Sequence, residues 1–415
     1  MPASGVPNST MDLSLTAERD QKWEGFGGCF NELGWIALGA LAEADRSLVL
    51  GQLFDPTGDC RFTMARLPIG ASDYAAQWYS HNEHVGDLAM EKFCIERDRE
   101  FLLPYIQSAK AIQPDLTLMA SPWSPPTWMK NPQAYNHGIL IWKQEILEAY
   151  ALYFAKFIEA YRGEGLRIHQ IHVQNEPDSD QKFPSCLWTG EKMRDFIRDY
   201  LGPLFRKHAL DTEIWLGTVE RADFNKWAHT VLSDPAARAF ISGVGYQWAG
   251  QGAVQRTHES WPDMRIIQTE NECGDGENTW EYAFYVFDLF QHYITNGVNA
   301  YMYWNMVLAP KGRSTWGWKQ NSMITVDPDT RHVAYNPEFF VMKHFSRYIQ
   351  PGARRVVLKG PWTGNAVAFE NPDRSTTLVI KNPSTASSGL RVFLAGSTQE
   401  FDLPPLSIST ILFND

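Results

Sequence analysis

Two apolar stretches of this sequence stop at carboxylates. One runs into His172-Val173-Gln174-Asn175-Glu176-Pro177 and the other into Gln268-Thr269-Glu270-Asn271-Glu272. Cleavage of a glycosidic bond needs such a pair: a carboxylic acid that protonates the departing oxygen and a carboxylate on the opposite side of the anomeric carbon. With the carboxyls about 5 to 5.5 Å apart the second attacks the carbon directly and configuration is retained, whereas about 6.5 to 9.5 Å admits a water and inverts it. The negative charge of the second group also raises the pKa of the first, which keeps the acid protonated until it is used. A lone Glu at a strand end is ordinarily a salt bridge or a helix-cap contact. Two of them, each closing an apolar run, are better explained as reacting partners.

The elements that must position them are short apolar runs alternating with longer amphipathic stretches, the pattern of βα units and a parallel sheet. Eight runs read as strands: Trp23–Phe30, Arg61–Leu67, Leu116–Ser121, Ile168–Gln174, Glu213–Gly217, Phe240–Tyr246, Met264–Thr269 and Val298–Trp304. Between them lie segments such as EILEAYALYFAKFIEAY (145–161), whose apolar residues recur every three or four positions. Eight units predict a closed α/β (β/α)8 TIM barrel. Its active site lies where the strands end, so Glu176 on the fourth and Glu270 on the seventh face one pocket. From about Phe345 the texture changes to alternating runs, TTLVIK, LRVFL and SISTILF, separated by Asn, Pro, Ser and Gly. These read as a small antiparallel β-sandwich side domain, to which Met11–Leu15 adds a strand. The predicted division is therefore a barrel over 16–344 and a side domain of 1–15 plus 345–415.

The length of 415 residues suits one barrel and a small companion. A net charge of −11 with no Lys/Arg cluster argues against nucleic acid or an anionic membrane as partner. The five cysteines are widely spread, without metal-ligand spacing, and read as buried free thiols. No run approaches 18 apolar residues, and MPASGVPNSTMDLSLTAERD lacks a basic start and an apolar core. The expectation is a cytoplasmic chain as given, extracellular if a leader has been removed. The 16 Trp, 16 Tyr and 23 Phe hint at sugar stacking, although most must fill core.

Six motifs resemble, in order, those of glycoside hydrolase family 30, the clan A barrel enzymes that include glucosylceramidases and β-1,6-glucanases. They are Gly25-Phe-Gly-Gly28, Arg66-Leu-Pro-Ile-Gly-Ala-Ser-Asp73, Ala120-Ser-Pro-Trp-Ser-Pro-Pro-Thr-Trp-Met-Lys130, Gln174-Asn-Glu-Pro177, Thr269-Glu270 and Trp304-Asn305. The resemblance implies that Glu176 is the acid/base and Glu270 the nucleophile. It implies that Asn175 bonds the sugar 2-hydroxyl, that Arg66 holds the nucleophile ionised, that Asp73 grips sugar hydroxyls, and that Trp123 and Trp304 wall the terminal sugar site. Where the glucosylceramidase branch has His-Trp-Tyr, this chain has Tyr246-Gln-Trp248, so Trp248 and Tyr246 are both candidates for contact with the nucleophile. Glu272 shares a strand face with Glu270 by alternation, and Glu270 is preferred because it follows Thr directly. The run Trp316-Gly-Trp-Lys-Gln-Asn321 sits beyond the eighth strand, as a rim aromatic pair or as plain loop packing.

The expected activity is retaining hydrolysis of a β-linked oligosaccharide or glycoside of neutral sugars, with β-glucosides or β-1,6-glucan fragments first. A glucosylceramidase-like role would place it in sphingolipid metabolism. β-Xylosidase or β-galactosidase activity, or a noncatalytic carbohydrate-binding protein, are the alternatives. No Lys occupies a persuasive Schiff-base position and no His/Asp/Glu cluster has ligand spacing, so neither metal nor cofactor is expected.

Overall fold

A computed structural model describes residues 10–414. The chain enters on a strand of a side sheet, β1 (Thr10–Lys22), and then builds eight parallel strands: β2 (Gly25–Cys29), β3 (Met64–Ile69), β4 (Thr117–Pro122), β5 (Gln170–His172), β6 (Glu213–Val219), β7 (Ile241–Gln247), β8 (Arg265–Glu270) and β9 (Ala300–Asn305). Each pairs with the next in sequence, and β9 pairs back to β2, so the barrel is closed. All eight fall on the apolar runs read from the sequence, with ends displaced by at most three residues.

The strands are buried along almost their whole length because one face packs under helices and the other fills the barrel. Met64, Met119, Trp215, Ile267 and Met302 share the interior cluster. Trp215 fits because Gly243 faces it: a Cβ there would stand 2.2 Å from the indole. The helix Gln144–Gly163 shows how the outer layer forms. Its apolar stripe, including Ile146, Tyr150, Tyr153, Phe157 and Tyr161, is buried. It stops where Gly165 takes φ 77°, with Leu166 N–H donating to Tyr161 O and Gly165 N–H to Arg162 O, a Schellman reversal that glycine alone adopts without penalty.

The side domain contributes β10 (Arg354–Lys359), β11 (Ala366–Glu370), β12 (Thr376–Asn382), β13 (Ser388–Leu394), β14 (Ser397–Leu403) and β15 (Ser407–Phe413). Hydrogen bonds link them in the order β14-β13-β1-β10-β11-β12-β15, around a private core that includes Leu13, Val356, Leu378, Val392 and Leu403. One pairing departs from the antiparallel expectation. β1 runs parallel to β13, with Leu13 opposite Val392; strands so far apart in sequence have no hairpin to set their direction. β1 also continues to Lys22, past position 16 where the sequence reading starts the barrel. Trp23, directly after β1, packs edge-on against Phe369 of β11 at 5.4 Å and ties sheet to barrel. Among the described residues no helix is long and apolar enough to cross a membrane. No disulfide forms, and Cys94, in the long loop between β3 and β4, is exposed where all five cysteines were expected to be buried.

Candidate active site

At the C-terminal ends of the strands lies a cavity of about 290 Å³ whose walls include Glu176, Glu270, Asp73, Trp123, Asn175 and Trp248. Glu176 stands just beyond β5 with its backbone at φ 47°, an uncommon conformation for a residue with a side chain. Its N–H is taken by Thr218 O of β6, and the N–H of Thr218 by Gln174 O, so the neighbouring strand holds this bend in place. Glu270 closes β8 just after a shift in register against β7 between Gln268 and Glu270.

Arg66, fully buried on β3, organises the floor. Its Nη1 donates to Glu270 Oε2 at 2.8 Å, and its Nη2 to Asn175 Oδ1 at 2.6 Å and Ser121 Oγ at 2.9 Å. Above it lie the rings of Trp123 at 4.7 Å and Trp304 at 5.6 Å, themselves 5.3 Å apart. Trp248 Nε1 donates to the other oxygen of Glu270 at 2.9 Å. Trp248, too, is held at a positive φ, 49°. Strain of this kind persists where the surrounding structure over-determines it, and it clusters at functional sites.

The other candidate, Tyr246, lies elsewhere: its hydroxyl is 2.6 Å from Thr257 Oγ1, on the helix side of β7. Alternation explains this. Gly243 and Gly245 face the interior, where a Cβ on Gly245 would meet His172 Nδ1 at 2.6 Å, so Val244 and Tyr246 must face out. The next inward residue is Gln247, which the sequence reading passed over between two aromatics. Its Nε2 donates to Glu176 Oε1 at 3.2 Å, Glu270 Oε2 at 3.3 Å and Asn175 Oδ1 at 3.2 Å. Thr269 and Arg66 donate to its Oε1 and fix which end of the amide faces the acids. Two contacts of 3.2 Å and 3.3 Å from one nitrogen limit the gap between those carboxylate oxygens to about 6.5 Å, the lower edge of the inverting range.

The pair is electrostatically unequal. Burial raises both carboxyls. For Glu270 the rise is opposed by Arg66, Trp248 and Gln247, all donating to the charged form. Glu176 is pushed well above the usual carboxylate range by burial first, then by Glu270, Glu220 and Asp73. The two environments therefore favour a proton on Glu176 over one on Glu270. Burial and Glu270 likewise raise Asp73, to which Trp123 donates. Asn175 Oδ1 is already bonded by Arg66, Thr218 and Gln247.

Glu272 also lines the cavity, but its oxygens are engaged outside the Glu176–Glu270 pair: Tyr285 donates to its Oε2 at 2.8 Å and Gln251 to its Oε1 at 3.3 Å. Trp316 and Trp318 pack at 5.3 Å, with Trp316 against Phe183 and Trp318 against Trp248, so the run beyond β9 forms an aromatic rim joined to the cavity. His172 is buried against Trp215 as a structural ring. Lys130 is buried and donates to Ser124 Oγ and to the carbonyls of Ala134, Tyr135 and Ser185, which ties the loop carrying Trp123 to the loop beyond Glu176.

Comparison with known proteins agrees with this architecture. The Glycosyl hydrolase family 30 TIM-barrel domain matches residues 23–349, and the family's beta sandwich domain matches 352–411. The chain is 29% identical to the lysosomal acid glucosylceramidase of Mus musculus over 92% of its own length and 79% of that protein's. It is 27% identical to the endo-1,6-beta-D-glucanase of Neurospora crassa over 91% of its length and 83% of the relative's. Among solved structures, SrfJ from Salmonella typhimurium superposes with a TM-score of 0.91 at 26% identity, covering 98% of this chain and 93% of that one. With both domain models matched in order along the chain, the protein is a glycoside hydrolase and belongs to glycosyl hydrolase family 30.

Proposed function

We propose that this protein is a retaining β-glycosidase acting on β-linked neutral sugars, foremost β-glucosides and β-1,6-linked gluco-oligosaccharides. The observation that carries the reading is the single Gln247 amide bonded to both glutamates, because it limits the gap between one oxygen of each to about 6.5 Å at most, short of nearly all of the range that admits a water. Glu270 Oε1 or Oε2 attacks that carbon while Glu176 gives its proton to the departing oxygen. The C–O bond to the leaving group breaks and a glycosyl ester on Glu270 forms. Glu176, now a carboxylate, takes a proton from a water that attacks the same carbon and releases Glu270. Asn175, its oxygen already bonded, offers Nδ2 to the sugar 2-hydroxyl, a contact that strengthens as positive charge develops on the ring. Trp123 and Trp304 give the sugar an apolar wall, and Asp73 a polar one.

Polar groups around the acid, Gln181, Ser179, Arg221 and Glu220, suit a hydroxylated leaving group better than an acyl chain. That favours a glucan fragment over glucosylceramide, the substrate class named for the mouse relative. The test is a panel of 4-nitrophenyl β-glycosides, β-1,6-glucan and glucosylceramide, run with wild type, Glu176→Gln and Glu270→Gln. Hydrolysis of the glucosidic members, with both variants slower by roughly a thousandfold or more, supports the reading. Xylosides or galactosides as the best substrates revise the sugar. Binding without hydrolysis overturns the enzyme reading in favour of a noncatalytic sugar binder.

A further inference from the structure

A third carboxylate adjoins the acid. β6 ends at Val219, and the next residue, Glu220, is only 3% exposed. Its Oε1 accepts the Ser179 hydroxyl at 2.6 Å and the backbone N–H of Asp178 at 3.2 Å. Ser179 N–H in turn donates to the carbonyl of Glu176 at 3.1 Å. These bonds close the turn from 176 to 179, whose first residue is the acid itself at its positive φ. The other oxygen of Glu220 is buried with no hydrogen-bond partner, an arrangement that costs free energy and calls for an explanation. Arg221 approaches only the bonded oxygen, at 3.7 Å, and is itself about half exposed. Lys226 is engaged with Asp178 instead. Glu220 lines the same cavity as Glu176.

We infer that Glu220 is a positioning residue that works through Glu176: it fixes the turn that carries the acid and sets a buried carboxylate beside it. The inference rests on Glu176 being the acid of the proposed reaction. The charged groups around Glu176 are the carboxyls of Glu270 from β8, Glu220 from the end of β6 and Asp73 from beyond β3, with the half-exposed Arg221 on the cavity wall beside Glu220 and Arg66 of β3 bonded to Glu270. Burial raises Glu220 to about 7. As pH rises, ionisation of Glu220 therefore makes the proton on Glu176 harder to remove, and the acid stays armed further into the alkaline range.

Two variants separate position from charge. Glu220→Gln keeps an oxygen for Ser179 and removes the charge; Glu220→Ala removes both. The readouts are the pH profile of kcat/KM and the ratio of rates on matched aryl and alkyl glycosides of the preferred sugar. An aryl leaving group needs little help from the acid, and an alkyl one needs all of it. The expected result for Glu220→Gln is a limb on the alkaline side that moves down by about one pH unit, with little loss below it. Glu220→Ala should lose at least about tenfold more on the alkyl glycoside than on the aryl one. An unmoved limb in the glutamine variant overturns the charge role, and equal losses on both glycosides in the alanine variant overturn the positioning role. If melting curves show that the alanine variant does not fold, the glutamine limb decides alone. A wild type that hydrolyses neither glycoside overturns the proposed function itself.

Discussion

Each oxygen of Glu270 has its own donor, Arg66 on Oε2 and Trp248 on Oε1. A hydrogen bond to a charged group contributes roughly 1.5 to 3 kcal/mol, so Trp248→Phe should lower kcat/KM by about 10- to 100-fold at each tenfold per 1.4 kcal/mol. Removing that donor also leaves the Glu270 carboxylate less favoured over its acid. The limb of the rate profile on the acid side, where activity appears as Glu270 ionises, therefore moves to higher pH in this variant. Tyr246→Phe is the control: its hydroxyl meets only Thr257, so activity should stay within about threefold while stability falls by about 1 kcal/mol. Steady-state kinetics and a urea melt on the pair check both statements. Of the site, the carboxylate pair was legible because both glutamates stand where apolar runs stop, whereas Arg66, Asn175 and the two Trp were legible through the family motifs that carry them. Gln247 was not, since its aromatic neighbours carry the stronger signal, although the Gly243 and Gly245 alternation marks it as the next inward residue. Glu220 escaped because β6 runs two residues past Gly217, where the apolar reading ended it.

The barrel strands were legible because a strand buried on both faces is a nearly continuous apolar run. The side sheet was half legible. STQEFDL, for instance, is exposed along all but its last residues, and a strand with one buried side chain carries little periodic signal. Gly217 and its neighbours show how the elements bring the site together. Gly217 sits inside β6 at φ 111°, and a Cβ there would lie 2.5 Å from the carbonyl oxygen of Gly245. Its own carbonyl accepts the N–H of Gln174, two residues before the acid. Gly217→Ala should therefore cost roughly 1 to 3 kcal/mol in stability and lower kcat through misplacement of Glu176. Denaturant melts with parallel kinetics test this, and an alanine variant with unchanged midpoint and rate would contradict it.

At the scale of the molecule, the side sheet holds the barrel from both ends of the chain, through β1 ahead of it and β10 to β15 behind. One contact between them titrates. His344, in the helix Pro337–Ser346, meets Thr410 Oγ1 of β15 at 2.9 Å, and burial with Lys343 nearby lowers its pKa to about 4. A histidine lowered in the folded state is held neutral there, so its contribution is complete above the unfolded value near 6.5 and is lost as pH falls toward 4. Tm should drop across that window, and His344→Gln should flatten the drop; an identical pH dependence in the variant would contradict it. In the proposed reaction the two-domain frame holds Glu176 and Glu270 across one sugar, and the most direct measurement of that is to trap the reaction halfway. A 2-deoxy-2-fluoro β-glucoside with a dinitrophenolate leaving group slows hydrolysis of the ester more than its formation, and peptide mapping by mass spectrometry then locates the sugar. The label is expected on Glu270, with inactivation and slow recovery in step with its gain and loss. A label on Glu272 or Glu176, or continued turnover of an activated glucoside with no labelled peptide, would contradict a double displacement through Glu270.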